Sequence, residues 1–183
     1  MVKAELKKTN AMRVLEANRV PYTAKVYDER GEFHSADEAA VLVGAPAASV
    51  YKTLVVLSED AARGGARKKP YLVMVASDRE IELRLLAKSL GEKKLRMATK
   101  KEAEQLTGAQ IGGISALALL NRGFEICLDQ RALQLETVHV SGGMRGLDLE
   151  LRVADLVRVT RARPVQAAAD EPLQGTETPG KAS

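Results

Sequence analysis

Two apolar runs constrain this chain more than any other feature: 50–57 (VYKTLVVL) and 70–77 (PYLVMVAS). Each is short, rich in β-branched residues and bounded by turn formers. Such runs read as strands buried on both faces rather than as amphipathic surface. Between them lies a polar, glycine-containing loop, 59–69 (EDAARGGARKK), with four bases. The arrangement predicts a long-looped antiparallel pair in the centre of a sheet.

The rest of the chain is punctuated around that pair. Thr9 is a predicted N-cap for a helix running to Asn18, with Met12, Val14 and Leu15 on its apolar side and Pro21 stopping it. Residues 22–27 read as a strand. Ser35-Ala-Asp-Glu38 and Thr99-Lys-Lys-Glu102 are capping boxes, in which hydroxyl and carboxylate satisfy each other's backbone N–H groups. They open helices ending near Gly44 and Gly108. A helix over 82–90 ends on Gly91. Residues 95–98, 124–128, 137–140 and 147–151 read as strands, 154–156 as a helical turn and 157–160 as a last short strand. From Pro164 the composition shifts to Ala, Pro, Gly, Thr and Gln, which predicts a domain over 1–163 and a disordered tail over 164–183. Strict βαβ alternation is absent. The expected fold is therefore α+β, with a curved, mixed, barrel-like sheet flanked by short helices.

Composition removes several classes of function. One cysteine, Cys127, excludes a disulfide framework and multi-cysteine metal sites, and two histidines (His34, His139) disfavour a histidine-rich metal centre. No segment looks like a membrane span or a signal peptide, so a cytoplasmic protein with a reduced thiol is expected. No GxSxG, HExxH, Walker or GxGxxG pattern is present, and no cofactor is implied. Residues 1–167 hold 27 bases against 21 acids, a basic body suited to a polyanion. Aromatic residues are only 3% of the chain, so phosphate contacts rather than base stacking would dominate RNA binding.

The chemistry-bearing candidates are polar groups set in apolar surroundings. Lys52 interrupts a strand that otherwise reads as buried. That is costly unless its ammonium reaches water or an anion. Two readings fit: a snorkelling lysine on an edge strand, or a ligand for phosphate or carboxylate facing a cleft. Gly112-Gly113 and the Ser141-Gly-Gly-Met-Arg-Gly146 turn expose backbone N–H groups that can cradle an oxyanion. Both could equally be plain tight turns. Asp148 could face solvent in a hairpin or take the α-amino group of a ligand. His139 reads as a packed or half-exposed histidine rather than a base. His34, in a loop beside a capping box, is a slightly better site candidate. Cys127 reads as core.

Taken in order, these segments resemble the YbaK/EbsC family of free-standing aminoacyl-tRNA editing domains, the group containing bacterial Cys-tRNA(Pro) deacylase. The matching pieces are the N-terminal helix with Pro21-Tyr22, Tyr27, VYKTLVV at 50–56, LAKSLG at 86–91, the GGIS run at 112–115 and VSGGMRGLDLEL at 140–151. They span roughly 9–160. The resemblance implies a domain similar to the editing insertion of bacterial prolyl-tRNA synthetase. Its implied substrate is mischarged tRNA and its implied partner prolyl-tRNA synthetase.

The same resemblance implies roles for individual residues. Lys52, Gly112, Gly113 and Asp148 would carry catalysis. Lys52 would contact the phosphate or ribose of the tRNA terminus, and the glycine backbone would hold the aminoacyl carbonyl. Tyr27, Phe33 (or His34), Thr53, Ile114, Ser115, Ser141 and Gly142 would bind the substrate. The implied reaction is cleavage of the ester of Cys-tRNA(Pro), with the substrate's own thiol attacking. The alternatives are a water-using deacylase for a substrate such as Ala-tRNA(Pro), or a non-catalytic tRNA- or nucleotide-binding module of the same fold. Ala116 stands where family members commonly have proline, and the 59–69 loop looks longer and more basic than usual.

Overall fold

The computed structural model describes residues 6–27, 36–59 and 68–170. The two apolar runs form β2 (Val50–Ser58) and β3 (Tyr71–Ala76), paired antiparallel from Tyr51↔Ala76 to Val56↔Tyr71. Around them a mixed sheet runs in the order β1-β7-β6-β2-β3-β5-β8, with β4 also on β2. Its other strands are β1 (Thr23–Val26), β4 (Leu95–Met97), β5 (Glu125–Asp129), β6 (Thr137–Ser141), β7 (Leu147–Arg152) and β8 (Arg163–Val165). The helices are α1 (Asn10–Ala17), α2 (Ala36–Val43), α3 (Leu83–Leu90), α4 (Lys100–Thr107) and α5 (Val153–Thr160). The α+β expectation, with one mixed sheet and short flanking helices, describes the molecule.

Local chemistry sets most of the boundaries. Thr9 Oγ1 accepts from Met12 N at the start of α1, and Gly91 and Gly108 close α3 and α4 in the left-handed region. The capping box of α4 is complete, and Arg96 adds a two-pronged clamp at 2.8 Å to each Glu102 carboxylate oxygen. The Arg96 bonds, followed by the Thr99 backbone bond, hold the Glu102 carboxyl down at about 2. A carboxyl depressed in the folded state stabilises above its unfolded range near 4.5, and that contribution fades as pH falls towards 2. Glu102→Gln is therefore expected to lower the urea midpoint at neutral pH. The gap from wild type should close as the titration is carried into acid. An unchanged gap at both ends would show that the clamp contributes nothing.

The sheet buries both faces. One carries the main core, where Tyr51, Val55, Leu72, Met74, Leu128, Val138, Leu147 and Leu149 meet α1 and α5. The opposite face is covered in two places. Val56, Val73, Val75 and Cys127 pack under α3, and Val50 packs with Ala40 and Val43 of α2. Cys127 is fully buried, as expected of core.

Two sequence expectations are corrected. Residues 153–160 form one helix, α5, not a turn followed by a strand. Val157 and Val159 favour strand by β-branching, but Val153, Leu156 and Thr160 recur at helical spacing and are buried. Packing outweighs that local preference. The ordered chain also does not stop at 163. β8 pairs parallel with β5, Val165, Ala167 and Ala168 are buried, and Ile81 bridges Ala168. Residues 171–183 lie outside the described residues, as do Ser35 of the first capping box and 60–67 of the basic loop.

Candidate functional site

β2 is the strand on which the site is built. It is central, so the edge-strand reading of Lys52 does not apply. Its burial is nevertheless interrupted: Lys52, Thr53 and Leu54 are half-buried between buried neighbours. The strand pairing gives the reason. β3 occupies one edge of β2 throughout. On the other edge β6 pairs only with Val50 and Tyr51, and β4 begins at Val56. Ala98 N reaches Val55 O. Lys52, Thr53 and Leu54 therefore border an opening in the middle of the sheet, with no strand partner on that edge among the described residues.

Register decides which side chains face that opening together. Val50 pairs with His139 and Tyr51 with Val140, so continuing the parallel register carries Lys52 level with Ser141. Side chains alternate along strands. Lys52, His139 and Ser141 therefore share the face opposite the main core, which takes Tyr51, Val138 and Val140. Ser141 pairs with Asp148, and Asp148 with Lys25. Tyr27, two residues beyond Lys25, packs on the same face against the α2 cluster. Four predicted site residues, Tyr27, Lys52, Ser141 and Asp148, thus come to one face from four strands or strand ends.

The two glycine turns meet beside them. Gly112 takes φ +91°, which favours glycine. A Cβ on Gly113 would lie 3.2–3.3 Å from the backbone of Met144 and Arg145, atoms that cannot move aside cheaply. Arg145 Nε donates to Ile111 O at 2.8 Å and ties the turns together. A Cβ on Gly142 would collide with the Leu147 side chain. Ser141 Oγ accepts from Gly143 N. Next to this junction, a cleft of about 440 Å³ is lined by Leu6, Val26, Tyr27, Met144, Arg145, Gly146 and Leu147. Of the predicted site residues that are described, Tyr27 alone lines it.

Other predicted residues stand elsewhere. Thr53 pairs with Met74 and points with Tyr51 and Val55 to the core side. Its Oγ1 is buried without a hydrogen-bond partner. Ile114 is in the main core, and Ser115 Oγ accepts from Ala118 N. These two side chains serve packing and capping, and Gly113 N donates to Gln110 O at 2.9 Å, so in the 112–115 run it is the exposed Gly112 whose backbone is open to a ligand. Ala116 takes φ −60°, the value a proline ring would impose, so the chain keeps that φ without one. Phe33 and His34 lie outside the described residues.

Sequence reading passed over one polar residue of this face. His139 is buried, and its Nδ1 lies 2.7 Å from Asp148 Oδ1. Asp148 is buried too, so the solvated-hairpin reading of this carboxylate fails. Burial raises its pKa, and the His139 bond opposes that rise. The VHVS and LDLEL alternations put both residues on one face. Only the hairpin register brings them into contact.

This geometry matches known proteins along most of the chain. The family model described as the aminoacyl-tRNA editing domain matches residues 31–159. EbsC of Enterococcus faecalis (strain ATCC 700802 / V583), provisionally named a Cys-tRNA(Pro)/Cys-tRNA(Cys) deacylase, is 31% identical over 156 residues. That match covers 85% of this chain and 90% of EbsC. Among solved structures, a provisionally assigned trans-editing enzyme for prolyl tRNA synthetase superposes with a TM-score of 0.70 at 25% identity, covering 90% of this chain and 99% of that one. A hypothetical protein at 24% identity superposes with a TM-score of 0.74, covering 87% of this chain and 99% of that one, and supports the fold alone. On the family match and the EbsC identity, this chain belongs to the aminoacyl-tRNA editing domain family.

Proposed function

We propose that this protein is a trans-editing deacylase that cleaves the ester of Cys-tRNA(Pro) and works alongside prolyl-tRNA synthetase. The observation that carries the reading is the gathering of Lys52, Ser141 and Asp148 on one face at an opening in the sheet, next to two interlocked glycine turns. The amino acid and tRNA rest on the name of EbsC. The partner rests on the name of the structural neighbour.

An aminoacyl ester is already activated, so the protein's task is to place it and to stabilise the charge that develops. Lys52 anchors the terminal phosphate or ribose. The N–H of the exposed Gly112 holds the carbonyl oxygen as it becomes an oxyanion, where one fixed donor contributes about 3–4 kcal/mol, while Gly113 N, bonded to Gln110 O at 2.9 Å, keeps the turn in shape. Asp148 receives the α-amino group, and Ser141 and Tyr27 close the pocket. The substrate's sulfur then bonds to its own carbonyl carbon as the ester C–O bond breaks. The thiol proton ends on the departing ribose hydroxyl, leaving a cyclic thiolactone and free tRNA. This route needs no protein nucleophile, and the chain's single cysteine, Cys127, is buried in the core under α3, away from the site. Burial pushes that thiol up to about 12. Exposed bases just before β4 and at the start of α4 (Lys93, Lys94, Lys100, Lys101) offer contacts for the tRNA backbone.

A panel of labelled aminoacyl-tRNAs tests this. Cysteinyl-tRNA(Pro) is expected to be cleaved at least tenfold faster than alanyl- or seryl-tRNA(Pro), because only cysteine carries the internal thiol nucleophile. Equal cleavage of alanyl-tRNA(Pro) would replace the thiol route with attack by water. Binding without cleavage would leave a non-catalytic module.

A further inference from the structure

We infer that His139 is a positioning residue that keeps the Asp148 carboxylate ionised and aimed at the ligand's amino group. The inference rests on the amine-binding role given to Asp148 above. The imidazole is buried directly behind the carboxylate, with Nδ1 at 2.7 Å from Oδ1. That contact occupies one oxygen and leaves Oδ2 without a protein partner among the described residues. A carboxylate this deep in the fold strongly favours its neutral form unless a donor compensates the lost hydration. Among the described residues the His139 contact is the hydrogen bond the carboxylate makes, and Lys25 opposite it acts through charge.

The surrounding charges act on the carboxylate in both directions, Lys25 favouring its ionised form and Glu150 opposing it. On β7, Glu150 Oε2 lies 3.9 Å from His139 Nε2. On β1, Lys25 stands opposite Asp148, donates to Val43 O of α2 and approaches Glu150 at 4.0 Å. On β2, Lys52 shares the face, and on α2 the charged residue with a described side chain is the exposed Glu38. Glu150 lies beyond hydrogen-bond reach of Nε2, so the short contact of the ring is the one between Nδ1 and Asp148.

Two measurements on the full chain test the inference. The first is the pH profile of kcat/KM for Cys-tRNA(Pro) in His139→Phe and His139→Asn. Without a donor, the Asp148 carboxyl should need higher pH to ionise. His139→Phe should therefore move the acid limb upward by about one pH unit and cost about tenfold on that limb. Activity should return towards wild type as pH rises. His139→Asn, whose amide can still donate to Oδ1, should restore the wild-type limb. A loss in His139→Phe that is equal at every pH, or no rescue by asparagine, would overturn the inference. The second measurement is the set of 15N chemical shifts of the His139 ring at one fixed pH, assigned against His34 by substitution. Asp148→Leu, which removes the acceptor at 2.7 Å, should shift Nδ1 clearly; an unchanged Nδ1 would refute the contact. If wild type cleaves no ester in the panel, the proposed function fails, while the ring shifts still decide whether the pair exists.

Discussion

Lys52→Ala is expected to lower kcat/KM for aminoacyl-tRNA cleavage by about a hundred- to a thousandfold, the range seen when one fixed electrostatic contact to a developing charge is removed. The fold should remain. Lys52 lies past the last residue of β2 that pairs with β6 and before the first that pairs with β4, and its side chain is half-buried on the face away from the main core. Truncation there should change stability by about 1 kcal/mol, because no core cavity is created. The other lysine on this face, Lys25, is held by Val43 O and stands near Glu150. It is not placed to substitute. Single-turnover cleavage read together with a thermal melt separates the two effects. An alanine variant that keeps its activity within fivefold of wild type would remove Lys52 from the mechanism, and one that melts far below wild type would make it structural.

Asp129→Ala is expected to destabilise the protein by about 3–5 kcal/mol, the largest stability change foreseen here. Asp129 is 2% exposed at the end of β5. Its Oδ2 accepts from Ala167 N at 2.9 Å and Ala168 N at 3.1 Å, and its Oδ1 accepts from Arg131 N at 3.1 Å. Alanine would leave three backbone donors without an acceptor, two of them on buried residues, and each such orphan costs about 1–3 kcal/mol. The same carboxylate anchors the segment after β8. That segment also receives Glu82 N on Ala167 O and Arg131 Nη1 on Ala168 O. The loss should appear as a lower urea midpoint at neutral pH, and Asp129→Asn, which keeps one acceptor oxygen, should fall between. A change below about 1 kcal/mol would show that the C-terminal strap is held by its apolar contacts alone.

The strap shows where reading the chain as a string fails. Residues 164–170 look like linker because alanine, proline and glutamine carry little apolar surface. Their order comes instead from a carboxylate nearly forty positions upstream and from pairing with β5, and neither leaves a local trace. Pro164 itself suits β8, an edge strand where a missing N–H is tolerated. The α5 error has the same origin: Val157 and Val159 favour strand, and burial of Val153, Leu156 and Thr160 against the main core overrides them.

Caps and turns were legible because their chemistry is local. Thr9, Gly91, Gly108 and the Thr99–Glu102 box each act within a few residues, so a short stretch of chain carries the whole cause. The buried pair β2 and β3 was legible for a related reason, since water excludes two such apolar runs whatever surrounds them. A lysine inside one of them marked a position under strain without saying what relieved it. The answer lay in strand register. One pairing places Lys52 level with Ser141, another sets Ser141 against Asp148, and a hairpin turn brings His139 onto that carboxylate. Register is a property of contacts between distant residues. A shift of one position would have turned Lys52, Ser141 and Asp148 into the core and dispersed the site while leaving every local signal in the chain unchanged.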